Sequence, residues 1–117
     1  MKTLTFLEVK RRLKAKDLRL KRVYGITLDE YERILKYQQG RCFICLRLPG
    51  RTSLHVDHEH QPKDKRISGS AKRSKVRGLL CWKCNRGLSI YRDEPGNFSR
   101  AADYLMQPPA HHILGGL

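Results

Sequence analysis

Apolar residues recur at helical spacing over residues 4–24. Val9, Leu13, Leu20 and Val23 mark one face, with Phe6 and Leu18 close to it, and Gly25 breaks the run. A second helix follows at once. Thr27-Leu-Asp-Glu30 has the form of a capping box, Leu28, Tyr31, Ile34, Leu35 and Gln38 line one side, and Gly40 is the expected left-handed stop. The period then changes to two. Residues 53–58 predict a strand with Leu54 and Val56 on one face and His55 and Asp57 on the other. Residues 59–75 carry no periodic apolar set and read as a mobile, basic, solvated loop. Val76–Leu80 predicts the second strand, and a helix to about Arg92 places Leu88 and Tyr91 inward. Asp93-Glu-Pro-Gly96 predicts a turn and Asn97 the cap of a last short helix, with Phe98, Ala101, Ala102 and Leu105 on its apolar face. Pro108-Pro109 ends that helix and leaves a flexible tail. The pattern is that of a small α+β protein, with a basic helical arm over 1–24, a domain over 25–106 and a tail over 107–117.

Length and composition limit what this pattern can do. A chain of 117 residues with 39% hydrophobic residues has a small core and no room for a large enzyme with a deep cleft. Charge narrows the partner. Twenty-five Lys and Arg stand against eleven Asp and Glu, a formal net charge of +14. Such a surface calls for a polyanion or an acidic membrane. No stretch approaches eighteen apolar residues, and the N-terminus lacks the apolar core of a leader peptide, so nucleic acid is the expected partner and a membrane is not. The arm alone holds nine Lys or Arg against Glu8 and Asp17. Its competing readings are a solubilising helix face and an arm that tracks DNA or forms a dimer.

The four cysteines form two CxxC pairs, Cys42–Cys45 and Cys81–Cys84, with thirty-five residues between them. Four thiolates from two tight turns complete a tetrahedron around Zn²⁺, and a site filled by four sulfurs is closed to substrate and structural. An Fe–S centre uses similar ligands. A redox CxxC needs one such motif opening a helix, not two. In a chain with so thin a core, the metal carries much of the folding free energy.

Between the knuckles lies His55-Val-Asp-His-Glu-His60. Asp57 offers a hard oxygen suited to Mg²⁺ or Mn²⁺, and His58 has the side chain whose ordinary pKa suits a general base. Asn85, one residue beyond the fourth cysteine, offers a carbonyl oxygen to the same cation. The alternatives are a histidine-rich turn that donates hydrogen bonds and a zinc site in place of the hard-cation site.

The pattern from Tyr24 to Pro95, with YGIT before a helix, GRCFIC, HVDHEH, VRGLLCWKCNRGL and a closing RDEP, resembles the phage recombination endonuclease VII family of HNH, or ββα-metal, nucleases. The resemblance implies a ββα-metal core stapled by a four-cysteine zinc site, flanked by the N-terminal basic helix, the capped second helix and a short C-terminal helix. It implies Asp57 as metal ligand, His58 as catalytic histidine, Asn85 as the asparagine completing the metal site, and His60 as a second histidine near the scissile phosphate. It gives His55 an orienting or packing role and makes Cys42, Cys45, Cys81 and Cys84 the structural zinc ligands. The best-known member carries an acidic residue three positions after the asparagine, where this chain has Leu88, and it has a further helical region at its C-terminus.

The implied activity is metal-dependent hydrolysis of DNA phosphodiesters, leaving 3′-OH and 5′-phosphate ends. It is nicking or double-strand cutting in phage DNA processing or packaging, with a Holliday-junction resolvase as the alternative and a non-catalytic zinc-stapled DNA-binding module as the second. Arg77, Lys83 and Arg86, with Lys63, Lys65, Arg66, Lys72 and Arg73 of the loop, are the expected phosphate contacts. A homodimer through the N-terminal helices and phage packaging proteins are candidate partners, and the cytoplasm of a bacterial host is the expected location.

Overall fold

A computed structural model describes residues 3–59 and 72–115. Most of the basic loop expected over 59–75 lies outside them. In chain order the described elements are α1 (Phe6–Tyr24), α2 (Leu28–Tyr37), β1 (His55–His58), a 3₁₀ turn (Arg73–Lys75), β2 (Val76–Leu80), α3 (Trp82–Ile90), α4 (Pro95–Met106) and α5 (Pro109–Ile113). They fall into two compact units, Met1–Trp82 and Lys83–Leu117. Strand, strand and helix follow one another as a ββα core.

Both N-terminal helices begin on capping boxes. Thr5 accepts from the Glu8 amide and Glu8 returns a bond to Thr5, as Thr27 and Glu30 do for α2. Asp17 joins the two helices, because its carboxylate accepts the Leu28 amide at 2.8 Å, one of the donors that the start of α2 leaves open. That bond comes first, and the neighbouring Lys21 second, in holding the Asp17 carboxyl below its ordinary value. Gly25 ends α1 in the left-handed region at φ 73°. The end of α2 departs from the expected glycine stop. Its first left-handed residue is Gln39 (φ 58°), and Gly40 (φ 74°) follows. The Gly40 amide reaches Leu35 and the Gln39 amide reaches Lys36, which is the Schellman pattern.

That turn delivers Gln38 to the sheet. β1 and β2 pair antiparallel, and two strands alone are marginal in water. The Gln38 amide caps the outer edge of β2 as a third strand would. It accepts the Leu79 N–H at 2.9 Å, donates to the Leu79 carbonyl at 2.8 Å and donates to Arg41 at 2.9 Å. A Cβ on Gly78 would lie 3.2 Å from Gln38 Oε1, so this approach favours glycine there. The core is small, as the composition requires: Leu20, Ile26, Tyr31, Cys42, Leu54, Val56, Leu79 and Leu80 are the buried apolar residues. Tyr31 spans it from α2 and donates its hydroxyl to the Leu54 carbonyl at 2.6 Å.

In the second unit, Arg92 (φ 59°) and Asp93 (φ 52°) end α3 in another Schellman turn, the Asp93 amide reaching Leu88 and the Arg92 amide reaching Ser89. The cap of α4 is Glu94 and not the expected Asn97. Glu94 accepts the Gly96 amide at 3.2 Å, and Pro95, which has no amide to satisfy, takes the first helical position. Asn97 instead donates its side-chain amide to the Tyr91 carbonyl at 3.1 Å, and Tyr91 meets Phe98 edge-on at 5.6 Å. Where the sequence offers only a tail, α5 starts on Pro109.

Candidate functional site

The first CxxC pair is a tight knuckle seated against β2. The Cys42 amide bonds the Arg47 carbonyl and the Leu46 amide bonds Cys42, both at 3.0 Å, with Leu46 left-handed at φ 65°. The Phe43 amide reaches the Leu79 carbonyl at 3.4 Å, so the knuckle is pinned two residues before Cys81. The second pair opens α3, with Cys81 immediately before its first residue and Cys84 in its first turn. The four Sγ atoms lie within 4.8 Å of one another, and Cys45 and Cys81 are 3.9 Å apart. A zinc tetrahedron with bonds of about 2.3 Å has sulfur–sulfur edges of about 3.8 Å, so the cluster fits that ion. Burial would raise the Cys42 thiol, but the amides of Cys45, Cys81 and Ile44 and the Cys45 side chain outweigh it and bring the pKa down to about 6. That favours the thiolate, which is the form that binds metal.

Asp57 and His58 end β1. The register runs His55↔Leu80, Val56↔Leu79 and Asp57↔Gly78, then slips to His58↔Val76, which leaves Arg77 as the extra residue of a bulge. Strict alternation would set Arg77 on the face opposite Gly78, and hence opposite Asp57. The bulge re-aims it. Its guanidinium meets the Asp57 carboxylate in a fork, Nε to Oδ2 at 2.7 Å and Nη2 to Oδ1 at 3.0 Å. Asp57 is only 3% exposed, and this pairing is what allows a carboxylate to sit there. A carboxylate offers about four lone-pair positions, and the fork takes two of them. His58 is half-buried, and its ring lies 5.9 Å from that of Tyr24 at 55°. His55 is exposed on the same strand.

The remaining expected residues distribute as follows. Asn85 is half-buried in the first turn of α3, within the second unit, as are the exposed Lys83 and Arg86. Lys72 is half-buried beside the 3₁₀ turn. His60, Lys63, Lys65 and Arg66 lie outside the described residues. The expected phosphate contacts Arg77 and Arg73 have carboxylate partners. Arg77 holds Asp57, and Arg73 forms a paired contact with Glu30 and donates to the Gly25 carbonyl at 3.3 Å. Arg73 is the first cause of a Glu30 carboxyl lowered to about 2, and the Thr27 amide is the second. Three participants are not legible in the sequence: Tyr24, Gln38 and the Asp57–Arg77 fork. The distance from Tyr24 to His58 along the chain is long, and a bulge leaves no mark in a hydropathy pattern.

A strand–strand–helix core with an Asp-His pair at the end of the first strand, together with a four-cysteine cluster, defines the class of zinc-stapled ββα nucleases. The model of the recombination endonuclease VII family matches residues 17–107, and this chain belongs to that family. It is 43% identical over 101 residues to the "Gene 59 protein" of Mycobacterium phage L5, covering 85% of this chain and 55% of that protein. The "Gene 59 protein" of Mycobacterium phage D29 is also 43% identical over 101 residues, with 85% and 54% covered. The chain therefore spans about half the length of the curated relatives it matches. No solved structure matches it. Among the described residues, no helix is long and apolar enough to cross a membrane.

Proposed function

We propose that this chain is a metal-dependent DNA endonuclease that hydrolyses phosphodiester bonds to 3′-OH and 5′-phosphate ends, encoded by a phage and acting in the cytoplasm of its bacterial host. The observation that carries the reading is the pair Asp57-His58, with the carboxylate buried in the Arg77 fork and the imidazole set against Tyr24. Asp57 and Asn85 would hold a Mg²⁺ or Mn²⁺ ion; support for Asn85 is its place in the sequence, one residue beyond Cys84. When bound, such an ion supplies Lewis-acid stabilisation of charge on the phosphate and the departing 3′ oxygen. His58 takes a proton from the attacking water at a ring nitrogen, and the Tyr24 ring restrains the imidazole. Arg77 holds the Asp57 carboxylate in one orientation. His60 is proposed as a hydrogen-bond donor to the phosphate, and Lys63, Lys65, Arg66, Lys72, Lys83 and Arg86 as backbone contacts that carry no sequence preference.

The description of the family as a recombination endonuclease favours a second reading, in which the substrate is branched DNA. One assay tests both. Supercoiled plasmid, linear duplex and a four-way junction are incubated with Mg²⁺, Mn²⁺ or EDTA, beside the His58→Ala protein. Metal-dependent cleavage that falls about 10²-fold or more in the variant is expected, as for loss of a general base. The ratio of junction to linear cleavage separates the two substrates. Wild-type rates from a folded His58→Ala protein would overturn the role of His58, and no cleavage in any metal would leave a zinc-stapled DNA-binding module.

A further inference from the structure

Two cavities of the first unit differ in the cations that line them. One, of about 490 Å³, is walled by Ile26, Glu30, Ile34 and Tyr37 with Arg33, Arg73 and Arg77. Its three arginines are all neutralised within the protein, Arg33 by Asp29 at 3.0 Å, Arg73 by Glu30 and Arg77 by Asp57. The other, of about 330 Å³, lies between the second half of α1 and β1. Lys16 and Arg19 line it, together with Tyr24, Tyr31 and His55, over a floor that includes Leu20, Leu54 and Val56. No carboxylate among the described residues pairs with Lys16 or Arg19. Asp17, the acid between them in sequence, is already committed to Lys21 at 2.8 Å and to the Leu28 amide.

This second cavity combines cations, aromatic rings and an apolar floor in its lining. Its volume is at the lower end of small-molecule sites, about 300–1,000 Å³, and exceeds what one small anion needs. The buried floor suits a sugar or the face of a base. Lys16 is poised by its contact with the Tyr31 ring, Nζ lying 4.3 Å from the centroid, and that ring is fixed by its own bond to Leu54. The ammonium keeps its N–H donors for an incoming phosphate. Tyr24 links the cavity to the chemistry, since it lines this wall and its ring also meets His58. We infer that the cavity of Lys16, Arg19, Tyr24 and His55 is a subsite for one nucleotide of the DNA strand flanking the scissile phosphate. The inference rests on the reading of the chain as a DNA endonuclease. It assigns α1 a defined site in addition to a general basic field.

The test uses the zinc-loaded full chain, ¹⁵N-labelled, titrated with thymidine 3′,5′-bisphosphate. Saturable amide shifts are expected at Lys16, Arg19, Tyr24 and Leu54–Val56. Lys16→Gln/Arg19→Gln should weaken them tenfold or more, and Lys10→Gln/Arg11→Gln, exposed one turn or more earlier on the same helix, should not. Duplex binding is then measured in the His58→Ala background. The slope of log affinity against log salt should become shallower by about one to two units with the first pair, at about 0.9 for each phosphate no longer neutralised. Equal losses from both pairs, or shifts spread along all of α1, would reduce the cavity to part of a diffuse field and overturn the subsite. Plasmid cleavage by wild type with unchanged kcat/KM in Lys16→Gln/Arg19→Gln would also overturn it while leaving the endonuclease intact. Failure of wild type to bind or cut DNA would sink the endonuclease reading, and the bisphosphate titration would then still decide the cavity.

Discussion

Arg77 grips both carboxylate oxygens of Asp57, at 2.7 and 3.0 Å, across a β-bulge that exists only because β2 contributes one residue more than β1. The relationship gives a structural partner to an arginine that reads, in sequence, as a phosphate contact. Asp57 is almost wholly buried and Arg77 about one-third exposed, so the acid depends on the base more than the reverse.

Removing the guanidinium leaves a buried carboxylate without its charge-assisted partner. Arg77→Ala is expected to cost about 1–3 kcal/mol in urea denaturation of the zinc-loaded protein. Arg77→Lys keeps the charge but not the planar fork and should fall between the two. An Arg77→Ala protein as stable as wild type would show that the fork contributes nothing to the fold.

Tyr24 is placed to restrain His58. Ring contacts of this type are worth about 0.5–1.5 kcal/mol, so Tyr24→Ala should lower kcat by up to about tenfold, and Tyr24→Phe should retain most of it. The two variants separate ring packing from the hydroxyl, and circular dichroism controls for folding.

Removal of zinc should unfold the region around the knuckles. With eight buried apolar residues in the core, the long Phe43–Leu79 bond at 3.4 Å is weak support for closing Cys42–Cys45 onto the end of β2. A strong chelator should produce a large loss of protected amides in Leu79–Cys81, reversed by adding Zn²⁺. Unchanged amide exchange after complete chelation would refute the structural role of the metal.

Acid should weaken the contact between Glu30 and Arg73 within a defined window. The folded Glu30 carboxyl titrates near 2 against an ordinary value of 4.5, so its contribution is fully present above pH 4.5 and is lost as pH falls toward 2. Glu30→Gln should therefore be less stable than wild type at about pH 6, with the gap narrowing steadily between pH 4.5 and 2. A gap independent of pH would mean that the variant acts through packing or the Thr27 cap alone.

Much of this molecule is legible in its sequence because its signals are local. Capping boxes lie within four residues, the change of period from helix to strand lies within six, and CxxC spacing declares metal ligands before any fold is known. The pairing of β1 with β2 follows from two short apolar runs, and the Asp57-His58 pair stands out by residue type alone as the candidate metal ligand and base. Where local signals compete, the expected position slips by a residue or more. Asn97 and Glu94 are both able to cap a helix, and Pro95 decides for Glu94 because its ring suits the first helical turn. Gln39 took the left-handed position next to a glycine that could also have held it.

What only the tertiary structure decided concerns side chains brought together from distant parts of the chain. Gln38 reads as one more position on a helix face, but a Schellman turn rotates it onto the backbone of Leu79, forty-one residues away, where it completes the sheet. Arg73 and Arg77 read as two surface cations, and each is neutralised by a carboxylate contributed from another element. Lys16 and Arg19 read as members of a basic run, and only the packing of α1 beside β1 sets them around a cavity, with no acid among the described residues to pair them. Sequence determines local backbone conformation and the chemical type of each group through short-range sterics and hydrogen bonding. Whether a given charge is satisfied or left available depends on which partners the folded chain brings within a few ångströms, and that is a property of the packing alone.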